Sequence, residues 1–217
     1  MSAQSDQFAP DIASAPGTAT AGMFPSTSMP DRDWWAALWP DPMAVLKQLG
    51  VEPTMTVLDL CCGDGYFTAP LARLVGGRVY ALDLDPAMIH LAKAEVARQG
   101  ASVQQWICAD AGEITRHLSD HVDYVLMANT FHGVPDQRKL TRAVRRVLGP
   151  KGKFGIVNWH LLPREQTIVF GQPRGPRTDM RMPPEAVSAM VEPEGFRRIK
   201  RFELPPYHYG IVFEKAG

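Results

Sequence analysis

An excess of charge of either sign is missing from this chain: Lys and Arg together number 23, as do Asp and Glu, and the formal net charge is zero. The long-range field that gathers DNA or RNA onto a basic face is therefore absent, and no nucleic-acid partner is expected. Cysteine is scarce, with three in 217 residues: the adjacent Cys61 and Cys62, and Cys108 in an apolar strand. That number argues against a disulfide framework. The C-x-x-C spacing of a structural zinc site is also lacking, so no metal is expected and all three read as small buried hydrophobes. No run is long and apolar enough to span a bilayer. Residues 1–30 lack the basic start and apolar stretch of a secretory leader, and also the arginines of a mitochondrial one, since the first arginine is Arg32. A cytoplasmic protein that does not engage membranes is expected.

Residues 1–30 are rich in Ser, Ala, Thr, Pro and Gly, carry only Asp6 and Asp11 as charges, and read as a disordered tail. The rest, 31–217, is the right size for one α/β domain, and 45% hydrophobic residues over the chain can bury one substantial core. Asp31-Arg32-Asp33-Trp34-Trp35-Ala36-Ala37-Leu38-Trp39 predicts a short helix stopped by Pro40, and Asp41-Pro42 starts a second that ends at Gly50. Apolar strands then alternate with helices: strands at 55–60, 78–83, 103–108, 122–128 and 153–159, helices at 66–75, 86–99, 111–118 and 136–148. Such alternation predicts a doubly wound, Rossmann-like parallel sheet covered on both faces. A helix at 183–192 and strands Phe196–Leu204 and Tyr207–Glu214 close the chain.

The densest signal is Val57-Leu58-Asp59-Leu60-Cys61-Cys62-Gly63-Asp64-Gly65-Tyr66-Phe67-Thr68. A strand ends in an acid and turns through two glycines into a helix, where backbone without a Cβ can approach a ligand closely. Val79-Tyr80-Ala81-Leu82-Asp83 repeats the strand-to-acid pattern at the distance that brings a carboxylate to a ribose, and Trp106-Ile107-Cys108-Ala109-Asp110 repeats it again. Tyr124 to Asn129 supplies a fourth strand, so polar groups collect along one edge of the sheet. A dinucleotide site would need a third glycine where Thr68 stands. Acids in and beside the loop suit a cationic ligand better than a pyrophosphate.

In this order the motifs resemble the class I S-adenosylmethionine-dependent methyltransferases, over roughly Val51 to Lys215, with Leu148-Gly149-Pro150-Lys151-Gly152 similar to the turn into their fifth strand. The small-molecule, ubiquinone-type branch is the nearest flavour. The resemblance implies a mostly parallel seven-stranded sheet with an antiparallel last strand. It also implies S-adenosyl-L-methionine held by Asp59, Cys61, Gly63, Gly65, Asp83, Leu84, Asp110, Ala111 and Asn129. Asp83 would take the ribose hydroxyls and Asp110 the adenine amino group. Where the family usually has glycine this chain has Cys61, which fits the loop if its φ stays negative.

Methyl transfer from a sulfonium needs alignment and exclusion of water above all, and a base only when the acceptor must lose a proton. His132, after the fourth strand, and His160, at the end of the fifth, are the candidate bases. His208 alternates faces with Tyr207 and Tyr209, so either the histidine or the tyrosines reach the pocket. Trp34 and Trp35 in the helical cap (31–50), Arg174 in the Pro- and Gly-punctuated loop 161–182, and Tyr207 are the candidate acceptor contacts. The loop arginines would hold a carboxylate or phosphate. The expected partner is a small molecule, anionic if those arginines engage it, with the protein a monomer or homodimer. The competing readings are a methyltransferase acting on RNA or protein, and a non-catalytic S-adenosylmethionine-binding regulator.

Overall fold

A computed structural model describes residues 32–217, so the tail expected at 1–30 lies outside the described residues. The chain runs α1 (Arg32–Leu38), α2 (Pro42–Gln48), β1 (Val57–Leu60), α3 (Thr68–Leu74), β2 (Val79–Asp83), α4 (Pro86–Arg98), β3 (Gln105–Cys108), β4 (Val122–Ala128), α5 (Gln137–Val147) and β5 (Leu148–Trp159). It continues through a small hairpin, β6 (Ile168–Val169) and β7 (Gln172–Pro173), then α6 (Pro184–Val191), β8 (Phe196–Leu204) and β9 (His208–Lys215). One seven-stranded sheet has the order β3-β2-β1-β4-β5-β9-β8. The first five of these run parallel, and β9 lies antiparallel to both β5 and β8, as expected.

Strand order reverses between β1 and β4, which makes their carboxyl ends the switch point where open α/β sheets bind ligands. Buried apolar residues form two clusters. One cluster joins α1, α2 and α3 to Val57, Leu126, Val157 and Trp159. The other joins α5 and α6 to Leu58, Val125, Ile156 and Tyr209. Period-two alternation sends neighbouring strand residues to opposite faces, which is why β1 and β4 read as unbroken apolar runs.

Helix starts are set locally. Asp41 accepts the Ala44 N–H at 3.0 Å, Asp85 the Ala87 N–H at 2.8 Å and Asp136 the Lys139 N–H at 2.8 Å, with Pro42 and Pro86 in the first turns.

Three local expectations change. The helix expected at 111–118 is a tighter 3-10 turn over Ala111–Arg116. Loop 161–182 carries the β6–β7 hairpin and two 3-10 turns. Cys108 is exposed rather than buried, because β3 is an edge strand with one face to solvent, while Cys62 is buried and Cys61 half-buried.

Candidate functional site

The turn from β1 into α3 is built around two carboxylates. Asp59, 2% exposed, accepts a hydrogen bond from the Thr68 hydroxyl at 2.7 Å. Thr68, standing where a dinucleotide loop has its third glycine, thus anchors the strand acid. Burial lifts the Asp59 carboxyl to about 7, the Thr68 bond pulls it down and the Asp83 charge adds to the rise. Asp83, at the end of β2, accepts the Gly63 N–H at 2.8 Å and the Asp85 N–H at 3.0 Å, which ties the glycine loop to β2. Its pKa is raised, by burial first, against the lowering effect of those N–H groups.

Backbone geometry in the loop is specific. Gly63 and Gly65 have φ of +54° and +85°. A Cβ on Gly65 would lie 2.8 Å from the Ala92 Cα, so this glycine lets α4 close against the loop. Cys61 takes φ +62°, in the left-handed region, against the expectation that it would fit with negative φ. The turn demands the conformation that a glycine would adopt freely, and the cysteine adopts it at a cost. Burial and the Asp83, Asp59 and Asp110 charges push its thiol well up, away from the thiolate form.

Asp110 caps the 3-10 turn after β3 by accepting the Gly112 N–H at 2.7 Å, and Ala111 beside it is buried. Leu84 follows Asp83, and its carbonyl faces the Cys108 Sγ at 3.6 Å. At the end of β4, Asn129 has φ +58°, donates its N–H to the Val157 carbonyl at 2.8 Å, and holds a buried Oδ1 with no hydrogen-bond partner. That orphaned oxygen, the acids at the ends of β2 and β3, and the open-φ loop suit a cationic nucleoside ligand carrying hydroxyl and amino donors.

His132 stands in the 3-10 turn Phe131–Gly133 after β4, and its Nδ1 lies 2.8 Å from the Asn158 Oδ1. The Trp159 N–H donates to the same oxygen at 3.2 Å, which fixes it as the acceptor. His132 therefore carries its proton on Nδ1 and presents a bare Nε2. Burial lowers its pKa most, the Asn158 bond raises it, and the Arg181 charge lowers it further. Asn158 was not among the sequence candidates. Its signal was a lone polar residue within the apolar run of β5.

The other expected contacts are placed differently. His160 donates its Nε2–H to the Glu203 carboxylate of β8 at 2.5 Å and packs on the Tyr209 ring, which leaves Nδ1 as its lone pair. The Tyr207 hydroxyl is spent on Ile168, accepting its N–H at 3.1 Å and donating to its carbonyl at 2.9 Å. Arg174 keeps a buried Nε without a partner. Arg181, 4% exposed, donates to the carbonyls of Pro176, Leu162 and Arg174 and to the Thr167 hydroxyl, and lies 5.0 Å from the Trp159 ring. It is the staple of loop 161–182.

Trp34 and Trp35 are buried with Trp39 against Trp159, His208 and Phe67. The Tyr66 hydroxyl, one residue past Gly65, donates to the Trp39 carbonyl and connects this aromatic cluster to the glycine loop.

Comparison with known proteins agrees with this geometry. The family model described as "Methyltransferase domain" matches residues 57–152. A 2-phytyl-1,4-naphtoquinone methyltransferase of Synechococcus elongatus is 30% identical, over 80% of this chain and 84% of that protein. A demethylmenaquinone methyltransferase of Lactobacillus johnsonii is 34% identical over 51% of this chain; there the chain spans about half the relative's length, 46%. The chain spans 56% of a similar enzyme of Trichormus variabilis, 31% identical. Among solved structures, a SAM dependent methyltransferase from Aquifex aeolicus superposes with a TM-score of 0.67 at 26% identity, covering 81% of this chain and 90% of that one.

Proposed function

Because the chain belongs to the class I S-adenosylmethionine-dependent methyltransferases, in the branch of the quinone methyltransferases, we propose that it methylates a ring carbon of a small quinol-type acceptor, with His132 as the base. S-adenosylmethionine supplies a methyl group made electrophilic by its sulfonium. In this reading Asp83 accepts from the ribose hydroxyls, Asp110 and Asn129 receive donors of the nucleoside and amino acid, and the Gly63–Gly65 backbone lies beside the methionine moiety. Two of the relatives are named for 2-phytyl-1,4-naphtoquinone and for demethylmenaquinone, and a quinol-type ring is the acceptor class assigned on that support.

The observation that carries the base assignment is the Nδ1 contact of His132 with Asn158, which leaves Nε2 as a lone pair at the carboxyl end of β4. A lowered pKa keeps His132 neutral at pH 7, ready to take a proton. His132 removes the proton of a ring hydroxyl, and electron density moves to the adjacent ring carbon. That carbon would take up the methyl group that S-adenosylmethionine supplies when bound. Loss of the ring hydrogen as a proton, with return of a proton from His132 to the oxygen, restores the aromatic ring. Alignment and exclusion of water by α1 and loop 161–182 supply the rest.

Arg174, with its unpartnered Nε, is the residue assigned to an anionic substituent on the acceptor. No helix among the described residues is long and apolar enough to cross a membrane. A cytoplasmic monomer or homodimer remains part of the proposal.

The test is release of S-adenosylhomocysteine from the full chain offered reduced quinols, tRNA and protein pools in turn. Turnover with quinols alone, a kcat that falls about 10²–10⁴-fold in His132→Gln, and unchanged S-adenosylhomocysteine affinity are expected. Methylation of RNA or protein instead, or full activity in His132→Gln, overturns the reading.

A further inference from the structure

Methylation at a ring carbon moves two protons of the acceptor, one on the hydroxyl and one on the carbon that takes the methyl group. The first returns to oxygen when the ring is restored, as His132 returns it. The second has to leave the site for water. His132 is a poor carrier for that second proton, because it is only 9% exposed and the Asn158 amide that orients it has no charge to stabilise an imidazolium.

A second histidine on the same side of the sheet has what His132 lacks. Asn158 lies in β5 and His160 just past its end, two residues on, so the two share a face about 6.6 Å apart along the chain. The ladder continues to this point, since the His160 N–H donates to the Tyr207 carbonyl at 2.9 Å. Cross-strand partners agree on the face. Tyr209 lies opposite Asn158 and Glu203 opposite Tyr209, while the His160 ring packs 5.1 Å from the Tyr209 ring and its Nε2–H bonds the Glu203 carboxylate at 2.5 Å. The Tyr209 hydroxyl donates to the Met182 carbonyl at 2.6 Å and is committed there. Glu203 thus holds the His160 proton on Nε2, leaves Nδ1 as the lone pair, and stabilises the imidazolium that forms when Nδ1 takes a proton. The side chains of His160 and Glu203 are 25% and 62% exposed, which gives that proton an outlet to water.

We propose that His160 is the second base of the reaction, taking the hydrogen of the methylated ring carbon, with Glu203 as its positioning residue. The ring C–H bond breaks, its electron pair returns to the ring, and the proton passes to the His160 Nδ1 and on to solvent. The proposal rests on the quinol-type reading above and assigns the one proton that reading leaves without an acceptor. The two histidines divide the work by the charge of their partners: an amide where the proton is handed back, a carboxylate where it is discharged.

The experiment compares kcat for 1,4-dihydroxynaphthalene and its 2,3-dideuterated form, anaerobically, with the full chain and saturating S-adenosylmethionine. An isotope effect of about 1 is expected in the wild type, where methyl transfer limits the rate, and in His160→Gln kcat is expected to fall about 10²-fold as the isotope effect rises to about 2 or more. His132→Gln should lose rate without that rise, because its proton comes from oxygen; a rise there and none in His160→Gln would give both protons to His132 and overturn the inference. A merely structural role for His160 would lower the rate alone, so an isotope effect no larger in His160→Gln than in wild type overturns the inference while leaving the quinol reading standing. If His160→Gln does not fold, Glu203→Gln decides by the same ratio: an isotope effect above wild type upholds the pair and an equal one overturns it. Absence of methylation of the naphthoquinol by the wild type overturns the quinol reading and this inference with it.

Discussion

Replacing Asp83 with alanine separates the two tasks of this carboxylate. In the folded chain it accepts the Gly63 and Asp85 N–H groups at 2.8 and 3.0 Å, and with cofactor present it is assigned both ribose hydroxyls. Hydrogen bonds to a charged acceptor are worth about 1.5–3 kcal/mol each, so even the lower figure for two gives about 3 kcal/mol, or roughly 150-fold in Kd. Stability changes less. The variant strands backbone donors at about 1–3 kcal/mol, yet it also removes a carboxylate that burial already disfavours. Calorimetry with S-adenosylhomocysteine reads the first effect and urea unfolding the second. An affinity within threefold of wild type in a folded Asp83→Ala protein would refute the ribose assignment.

The remaining predictions concern the scaffold of the site. Cys61→Gly should leave stability within about 1 kcal/mol of wild type, since relief of the left-handed residue and the added freedom of the unfolded chain nearly cancel; a loss above 2 kcal/mol in urea would contradict it. Gly65→Ala places a methyl 2.8 Å from the Ala92 Cα and should cost about 2 kcal/mol or more, with a proportionate fall in melting temperature. Arg181→Met leaves the carbonyls of Pro176 and Leu162 without their donor and takes one of two from that of Arg174, which keeps the Thr167 hydroxyl, so limited proteolysis should cut faster between Leu161 and Met182; equal cleavage rates would count against the staple. Burial holds the His208 pKa well below its unfolded value near 6.5. The unfolded chain therefore takes up a proton below pH 6.5 that the folded chain refuses, and wild-type stability from this group falls as pH drops. Asp59, raised to about 7, acts in the opposite sense. The stability advantage of His208→Phe over wild type isolates the histidine and should grow from pH 7 to pH 5; a constant difference would refute this.

The strands ending in Asp59, Asp83 and Asp110 were legible because a doubly wound sheet has a fixed period and places its acids at one edge. The closing β8–β9 hairpin was legible as two strands, Phe196–Leu204 and Tyr207–Glu214, separated by Pro205 and Pro206. What sequence could not give was the pairing of side chains distant in the chain. The Glu203 carboxylate that β8 brings to the His160 Nε2 was invisible, and Tyr207 looked free until the loop hairpin set Ile168 against its hydroxyl. Cys61 was read with negative φ because residue identity alone does not reveal a turn's conformation. Cys108 was read as buried because an apolar strand looks the same at the edge of a sheet as in its middle. Arg181 was one of several loop bases, and only the fold shows it facing inward over Trp159.

The central claim is transfer of a methyl group to a ring carbon. The most direct measurement is carbon NMR of the product formed when the full chain is incubated with 13C-methyl S-adenosylmethionine and an unmethylated naphthoquinol under reducing conditions. The account predicts one labelled signal in the aryl C-methyl region, with an equal amount of S-adenosylhomocysteine. A signal in the O-methyl region, label on the protein, or no S-adenosylhomocysteine above the acceptor-free control would contradict it.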